Sequence, residues 1–90
     1  SLCFRGRILA EKGDYKGAEK AFKEVERALN DYRWLYVWKA FLFLKQNKQN
    51  EATSNINRAL EISPGLDSFL RSQEWLQPIL TNKGVKWPAN

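Results

Sequence analysis

One relation inside this sequence constrains its fold more than any other: residue n matches residue n+34. Gly6 meets Ala40, Leu9 meets Phe43, Gly13 meets Asn47, Ala18 meets Ala52, Phe22 meets Ile56 and Val25 meets Ala59. A fixed period of this length marks a repeated supersecondary unit, and such a unit buries its apolar face only by stacking on a neighbour. A chain of 90 residues holds two copies and a shorter remainder.

Each copy reads as two helices. The first copy opens with a helix over 2–12, whose apolar positions are Leu2, Ile8 and Leu9, and Gly13 ends it. The closing position wants a left-handed backbone, and it falls on Gly in one copy and Asn in the other, the residues that tolerate it best. Asp14 is placed to cap a second helix over 15–29. Along that helix Ala18, Ala21, Phe22, Val25, Ala28 and Leu29 recur at steps of three and four, the mark of a buried face. Lys16, Glu19, Lys20, Lys23, Glu26 and Arg27 form the opposite face, with Glu19–Lys23 and Lys20–Glu24 spaced for ion pairing.

The second copy predicts helices from about Tyr32 to Gln46 and from about Asn50 to Ile62, stopped by Ser63-Pro64-Gly65. Its last helix has Ala52, Ile56, Ala59, Leu60 and Ile62 on one side and Asn50, Thr53, Ser54, Asn57 and Arg58 on the other. Beyond Pro64 the match fades. A short helical turn is expected over 67–71 with Leu66, Phe69 and Leu70 inward. Ser72 should then cap a helix over 73–82 carrying a Trp75, Leu76, Ile79, Leu80 stripe, bent or shortened by Pro78 unless that residue falls in the first turns. Residues 83–90 read as a tail, with Val85 or Trp87 pinned to the body.

Gly6, Leu9, Gly13-Asp14-Tyr15, Ala18, Phe22 and Val25 in the first copy resemble the tetratricopeptide repeat, as do Tyr36, Ala40, Phe43, Ala52, Ile56, Ala59 and Pro64 in the second. Arg5 and Lys39 stand where that family usually has Leu, the first copy lacks the closing Pro, and Asn-Lys-Gln replaces Gly-Asp-Tyr in the second. The resemblance implies an all-α fold, antiparallel helical hairpins stacked as a short right-handed superhelix. It would comprise repeat one over about 1–32, repeat two over about 33–66, a capping segment over 67–82 and the tail. It also implies a non-catalytic, protein-binding role.

Residue inventory points the same way. There is no His, which removes most base–nucleophile pairs and most zinc and haem sites. A single Cys, Cys3, makes neither an internal disulfide nor a thiolate cluster, and no phosphate-binding glycine motif occurs, so no cofactor is expected. Glu24 and Glu26 point to different sides of a helix and read as solvated surface. No apolar run approaches the roughly eighteen residues of a membrane span. A soluble, reducing, cytoplasmic setting is the expectation. The absence of Met and the Ser-Leu-Cys-Phe opening suggest a segment of a longer protein or a processed one.

The net charge of +5 is spread along the chain, which favours an acidic partner without making a nucleic-acid footprint. Arg5, Arg7, Lys12, Lys16, Lys20 and Lys23 could line one edge, but Glu11, Glu19 and Glu24 interrupt them. A repeat that reads RNA would repeat its polar code, and Arg7 against Phe41 is no code.

The most informative helix is the first of the second copy. Tyr36, Ala40 and Phe43 match core positions, while Trp34, Trp38, Phe41 and Lys45 advance by four, three and four and so share another face. In the family this face looks into the concave groove where peptides dock, and Arg7 stands in the matching place of the first copy. Arg7, Trp34, Trp38, Phe41 and Lys45 are therefore the candidate partner-binding residues. The Lys, Asn and Arg set by which some relatives grip a C-terminal carboxylate is missing: Cys3 and Arg7, then Val37, Trp38 and Phe41, occupy those places. A helix apolar on two faces is buried on both or binds something. Three occupants are open for the second face: the capping segment (Trp75, Leu76, Ile79) or the Trp87 tail, a neighbouring repeat or second copy of the chain, or a partner peptide or helix.

Overall fold

Residues 2–89 of this computed structural model are described, and among them six α-helices follow one another; Ser1 and Asn90, the outer ends of the expected first repeat and tail, lie outside them. The helices are α1 (Phe4–Glu11), α2 (Tyr15–Ala28), α3 (Arg33–Lys45), α4 (Gln49–Ile62), α5 (Asp67–Arg71) and α6 (Gln77–Leu80). Tight single turns at Pro64–Leu66 and Glu74–Leu76 precede the last two. α1 packs on α2 and α3 on α4 as antiparallel hairpins, and α3 lies against both helices of the first hairpin.

The repeat extends to the backbone hydrogen bonds. After α1 the Asp14 amide donates to the Leu9 carbonyl at 2.9 Å and the Gly13 amide to that of Ala10 at 3.1 Å. After α3 the Lys48 amide donates to the Phe43 carbonyl at 2.9 Å and the Asn47 amide to that of Leu44 at 3.0 Å, the same bonds 34 residues on. Both turns need a left-handed residue, and Gly13 (φ 86°) and Asn47 (φ 62°) supply it. The copies differ in the next cap. Asp14 accepts from the Gly17 amide at 3.0 Å, whereas Lys48 gives α4 no side-chain cap.

Cys3, Ala10, Ala18, Phe22, Leu35, Ala40, Ala52, Ile56 and Ala59 form the centre of the core, joined by Leu66, Leu70, Leu76, Ile79 and Val85 from the C-terminal segment. Gly6 is where the first hairpin closes: a methyl group there would lie 2.5 Å from the Phe22 ring. The inward side of α1 is thus Cys3, Gly6 and Ala10; of the expected apolar positions, Leu9 packs half-buried against this core, Ile8 is half-buried and Leu2 is 58 % exposed. The outer end of α2 also differs. α2 has 14 residues against 8 in α1, so Ala28 and Leu29 run past their partner and are exposed.

The capping region is shorter-stepped than expected. Ser72 does not start a helix over 73–82; it ends α5 in a helical conformation, and its hydroxyl donates to the Phe69 carbonyl at 2.7 Å. Gln73 is extended, the chain re-enters with one tight turn, and Pro78 falls in the first turn of the four-residue α6, where a missing N–H costs nothing. The expected ion pairs along α2 are not made. Among the described residues the ion pairs join Arg58 to Asp31 and to Glu61.

Candidate interaction surface

Helix α3 is apolar on nearly every side because it is sandwiched. Leu35, Val37, Ala40 and Leu42 are buried, and Tyr36 and Phe43 are half-buried. The second face carries the candidate residues, and the structure brings them together. Trp38 and Phe41 are 7 % exposed each, with ring centroids 6.0 Å apart; Trp34 is half-buried and Lys45 is exposed. Arg7, from α1, lays its guanidinium 3.7 Å from the centre of the Trp38 ring. Lys45 Nζ lies 5.4 Å from the Phe41 ring, and the Arg33 guanidinium 5.8 Å from that of Trp34. Cations over ring faces are attracted by the ring quadrupole, which holds them in place while leaving their N–H edges available.

The cover over this face comes from the capping segment. Phe69 meets Trp34 edge-on at 5.0 Å and Trp38 at 6.5 Å, while Trp75 lies 5.4 Å from Trp38 and 5.2 Å from Phe41. Phe69, expected only as an inward residue of the turn, thus shares the cover with Trp75. The part of Trp75 has a sequence signal: Trp75 lies 34 residues after Phe41, as Phe41 does after Arg7, and Leu76 likewise follows Leu42. The segment after Pro64 thus keeps part of the repeat register and takes the position a third first-helix would occupy. Trp87 is not in this ring cluster; it stacks under the Arg71 guanidinium at 3.9 Å.

Between cap and helix a cavity of about 220 Å³ remains, lined by Phe41, Leu44, Lys45, Trp75 and Pro78. Its rim is fixed from the other side as well, since the Tyr15 hydroxyl donates to the Lys45 carbonyl at 3.1 Å. The Trp75 indole N–H donates to Gln73 Oε1 at 3.1 Å, which sets the ring's orientation. Arg7 Nε is buried without a hydrogen-bond partner. A second cavity, about 260 Å³, opens between α2 and α3 over Phe22, Leu42 and Phe43; both charge signs stand on its rim, as Glu19, Glu26, Lys23 and Lys39.

Asn57, expected on a solvated face, fastens the tail. Its Nδ2 donates to the Gly84 carbonyl at 2.8 Å and its Oδ1 accepts from the Lys86 amide at 2.7 Å. This brings Val85 into the core and covers Thr53, which is 8 % exposed against the same expectation. Cys3 is fully buried, and burial pushes its thiol up to about 11 against the opposing pull of Arg7. Among the described residues no group of three or more His, Cys, Asp or Glu could hold a metal ion, and no helix is long and apolar enough to cross a membrane.

A family model described as tetratricopeptide repeat matches residues 1–30 and 35–66, the two hairpins and the turn at Pro64. No curated protein and no solved structure matches the chain. The two matched copies cover more than half of the sequence, so the chain belongs to the tetratricopeptide repeat family, whose domains typically mediate protein–protein interaction.

Proposed function

We propose that this chain is a protein-interaction module that binds a peptide or helix along the second face of α3, through Arg7, Trp34, Lys45 and the edges of the rings that roof Trp38 and Phe41. One observation carries this reading. Two half-exposed tryptophans, Trp34 and Trp75, flank a buried aromatic seam that is bordered by cations and opens into a cavity. Tyr, Trp and Arg are the residue types that anchor interfaces, and a rigid, pre-packed aromatic platform limits the ordering cost of binding. The cap narrows the role of Trp38 and Phe41: they support the platform from beneath, and a partner meets the rim above them.

A second reading is favoured by a different feature. Leu2 and Phe4, 58 % and 57 % exposed, and Leu29 lie at the same end of the first hairpin, where α2 outruns α1. That end suits a structural piece that stacks against another repeat or a second copy and has no ligand of its own. Panning a random peptide library on the immobilised chain, with sedimentation in parallel, separates the two. A monomer that selects peptides, and loses them about tenfold on Trp34→Ala, supports the module. A dimer whose formation depends on concentration and on Phe4, with no peptide selected, overturns it.

A further inference from the structure

We infer that the partner segment of this module is acidic, with an apolar side chain seated in the cavity between α3 and the capping turn and carboxylates on Arg7 and Lys45. The inference rests on the module reading and specifies the partner's chemistry.

The cavity walls are apolar: Phe41, Leu44, Trp75 and Pro78. The single charged residue among its lining residues is Lys45, and no Asp or Glu lines it. A branched or aromatic side chain gains burial against those walls, as pockets for anchor residues do elsewhere. Two cations stand within reach of a peptide laid across it, Lys45 and Arg7. Lys45 stands at the cavity with its Nζ over Phe41, and Arg7 lies beyond the Trp38–Trp75 pair with its guanidinium flat on Trp38.

Among the described residues neither cation makes an ion pair; those that form are made by Arg58. The Arg7 head is moreover held in a fixed pose. Its Nε is enclosed without a partner, while its terminal nitrogens donate no hydrogen bond among the described residues and are left for an anion. An arginine already ordered on an indole loses less freedom on binding a carboxylate than a free one. The contrast with the cavity between α2 and α3 is informative, because its rim carries two acids and two lysines and selects no sign. The overall charge of +5 adds long-range attraction for an acidic segment.

The test uses the full 90-residue chain and three synthetic peptide pools. Each pool has one central Leu or Phe, flanked by Asp, Glu and Ser in the first, Asn, Gln and Ser in the second, and Lys, Arg and Ser in the third. Binding is read by fluorescence anisotropy. The acidic pool should bind at least about tenfold more tightly than the neutral one, and binding should weaken as salt approaches about 1 M, where screening is nearly complete. Lys45→Glu, at an exposed position, should cost about tenfold, and Arg7→Gln about fivefold, with circular dichroism unchanged for the first. Preference for the neutral or basic pool, lost on Trp34→Ala, overturns the acidic inference and leaves the module reading standing. Failure of all three pools to bind overturns both. A single-stranded oligonucleotide that binds more tightly than the acidic pool, and is lost on Lys45→Glu, overturns the inference in favour of nucleic acid.

Discussion

The Arg7 guanidinium stacks on Trp38 at 3.7 Å, so the first helix of one repeat is tied to the first helix of the next by a cation on an indole. Trp38 is also the hub of the aromatic seam, with Phe41, Phe69 and Trp75 all in ring contact. At 7 % exposure it is a core residue that contributes to a surface only through what it supports. Trp38→Ala is therefore expected to destabilise the domain by about 3–5 kcal/mol, through the lost contacts and the cavity left behind. Urea unfolding followed by far-ultraviolet circular dichroism measures this. A loss under about 1 kcal/mol would show that the cap does not hold Trp38 as described.

Glycines 6 and 13 test two different constraints in the first hairpin. A methyl group at Gly6 would meet the Phe22 ring at 2.5 Å, so Gly6→Ala forces α1 and α2 apart and should cost about 1–3 kcal/mol. At Gly13 there is open space but φ is +86°, so Gly13→Ala should cost about 1–2 kcal/mol by backbone strain alone. Gly13→Asn should recover most of that, because Asn47 already holds the equivalent turn at φ 62°. Thermal unfolding of the three variants separates crowding from strain; equal losses for Gly13→Ala and Gly13→Asn would argue against strain.

Much of this was written in the sequence, and the parts that were not have physical causes. The turns at Gly13 and Asn47 were legible because left-handed backbone demands particular residues, and the apolar faces of α2 and α4 because steps of three and four admit one arrangement. The inward side of α1 was legible only at Gly6 and Leu9. Cys3, Gly6 and Ala10 are small, and a helix that approaches its neighbour closely buries its small residues and lets Leu2 and Phe4 face out. Asn57 looked like a surface residue because a side chain that binds a tail 27 residues away leaves no periodic signal. The occupant of the second α3 face was open for a similar reason. α5 and α6 are five and four residues long, too short for propensity or periodicity to place, and tertiary contacts alone order them.

Asn57→Ala should release the tail without unfolding the hairpins. Both hydrogen bonds are on the exposed side, and each is worth about 0.5–1.5 kcal/mol. The specific readout is hydrogen exchange at the Lys86 amide, which loses its acceptor, together with greater exposure of Val85. Protection at Lys86 equal to that of the parent would mean that the tail is held by Val85 and the Arg71–Trp87 stack.

The buried thiol of Cys3 gives a pH dependence of defined sign. Its ordinary value of 9.0 is raised to about 11 by burial, so the folded chain holds the proton more tightly than the unfolded one. That contribution to stability is fully present below about pH 9 and is lost as the pH rises toward 11. The difference between the parent and Cys3→Ala isolates it from other groups that titrate in the same range. The urea midpoint of the parent should fall more steeply above pH 9, and native Cys3 should react slowly with iodoacetamide at neutral pH. Parallel pH profiles for the two proteins would refute the assignment.

The last expectation concerns whether the cap is a detachable lid or part of the fold. Leu70, Leu76 and Ile79 are as buried as any residue in the hairpins, at 0 %, 1 % and 1 % exposure. A segment so anchored cannot leave without exposing core, whereas its own helices are too short to persist alone. Leu76→Ala should therefore cost about 2–5 kcal/mol, the range for a buried leucine. It should do so in one transition, with tryptophan fluorescence reporting on Trp38 and Trp75 and circular dichroism reporting on α2 and α4 at the same denaturant midpoint. A fluorescence change that precedes the loss of helix would show the cap opening first and the α3 face emptying while the hairpins stay folded. Coincident curves place the aromatic seam inside the single cooperative core, and leave to a partner only the rim formed by Arg7, Trp34, Lys45 and Trp75.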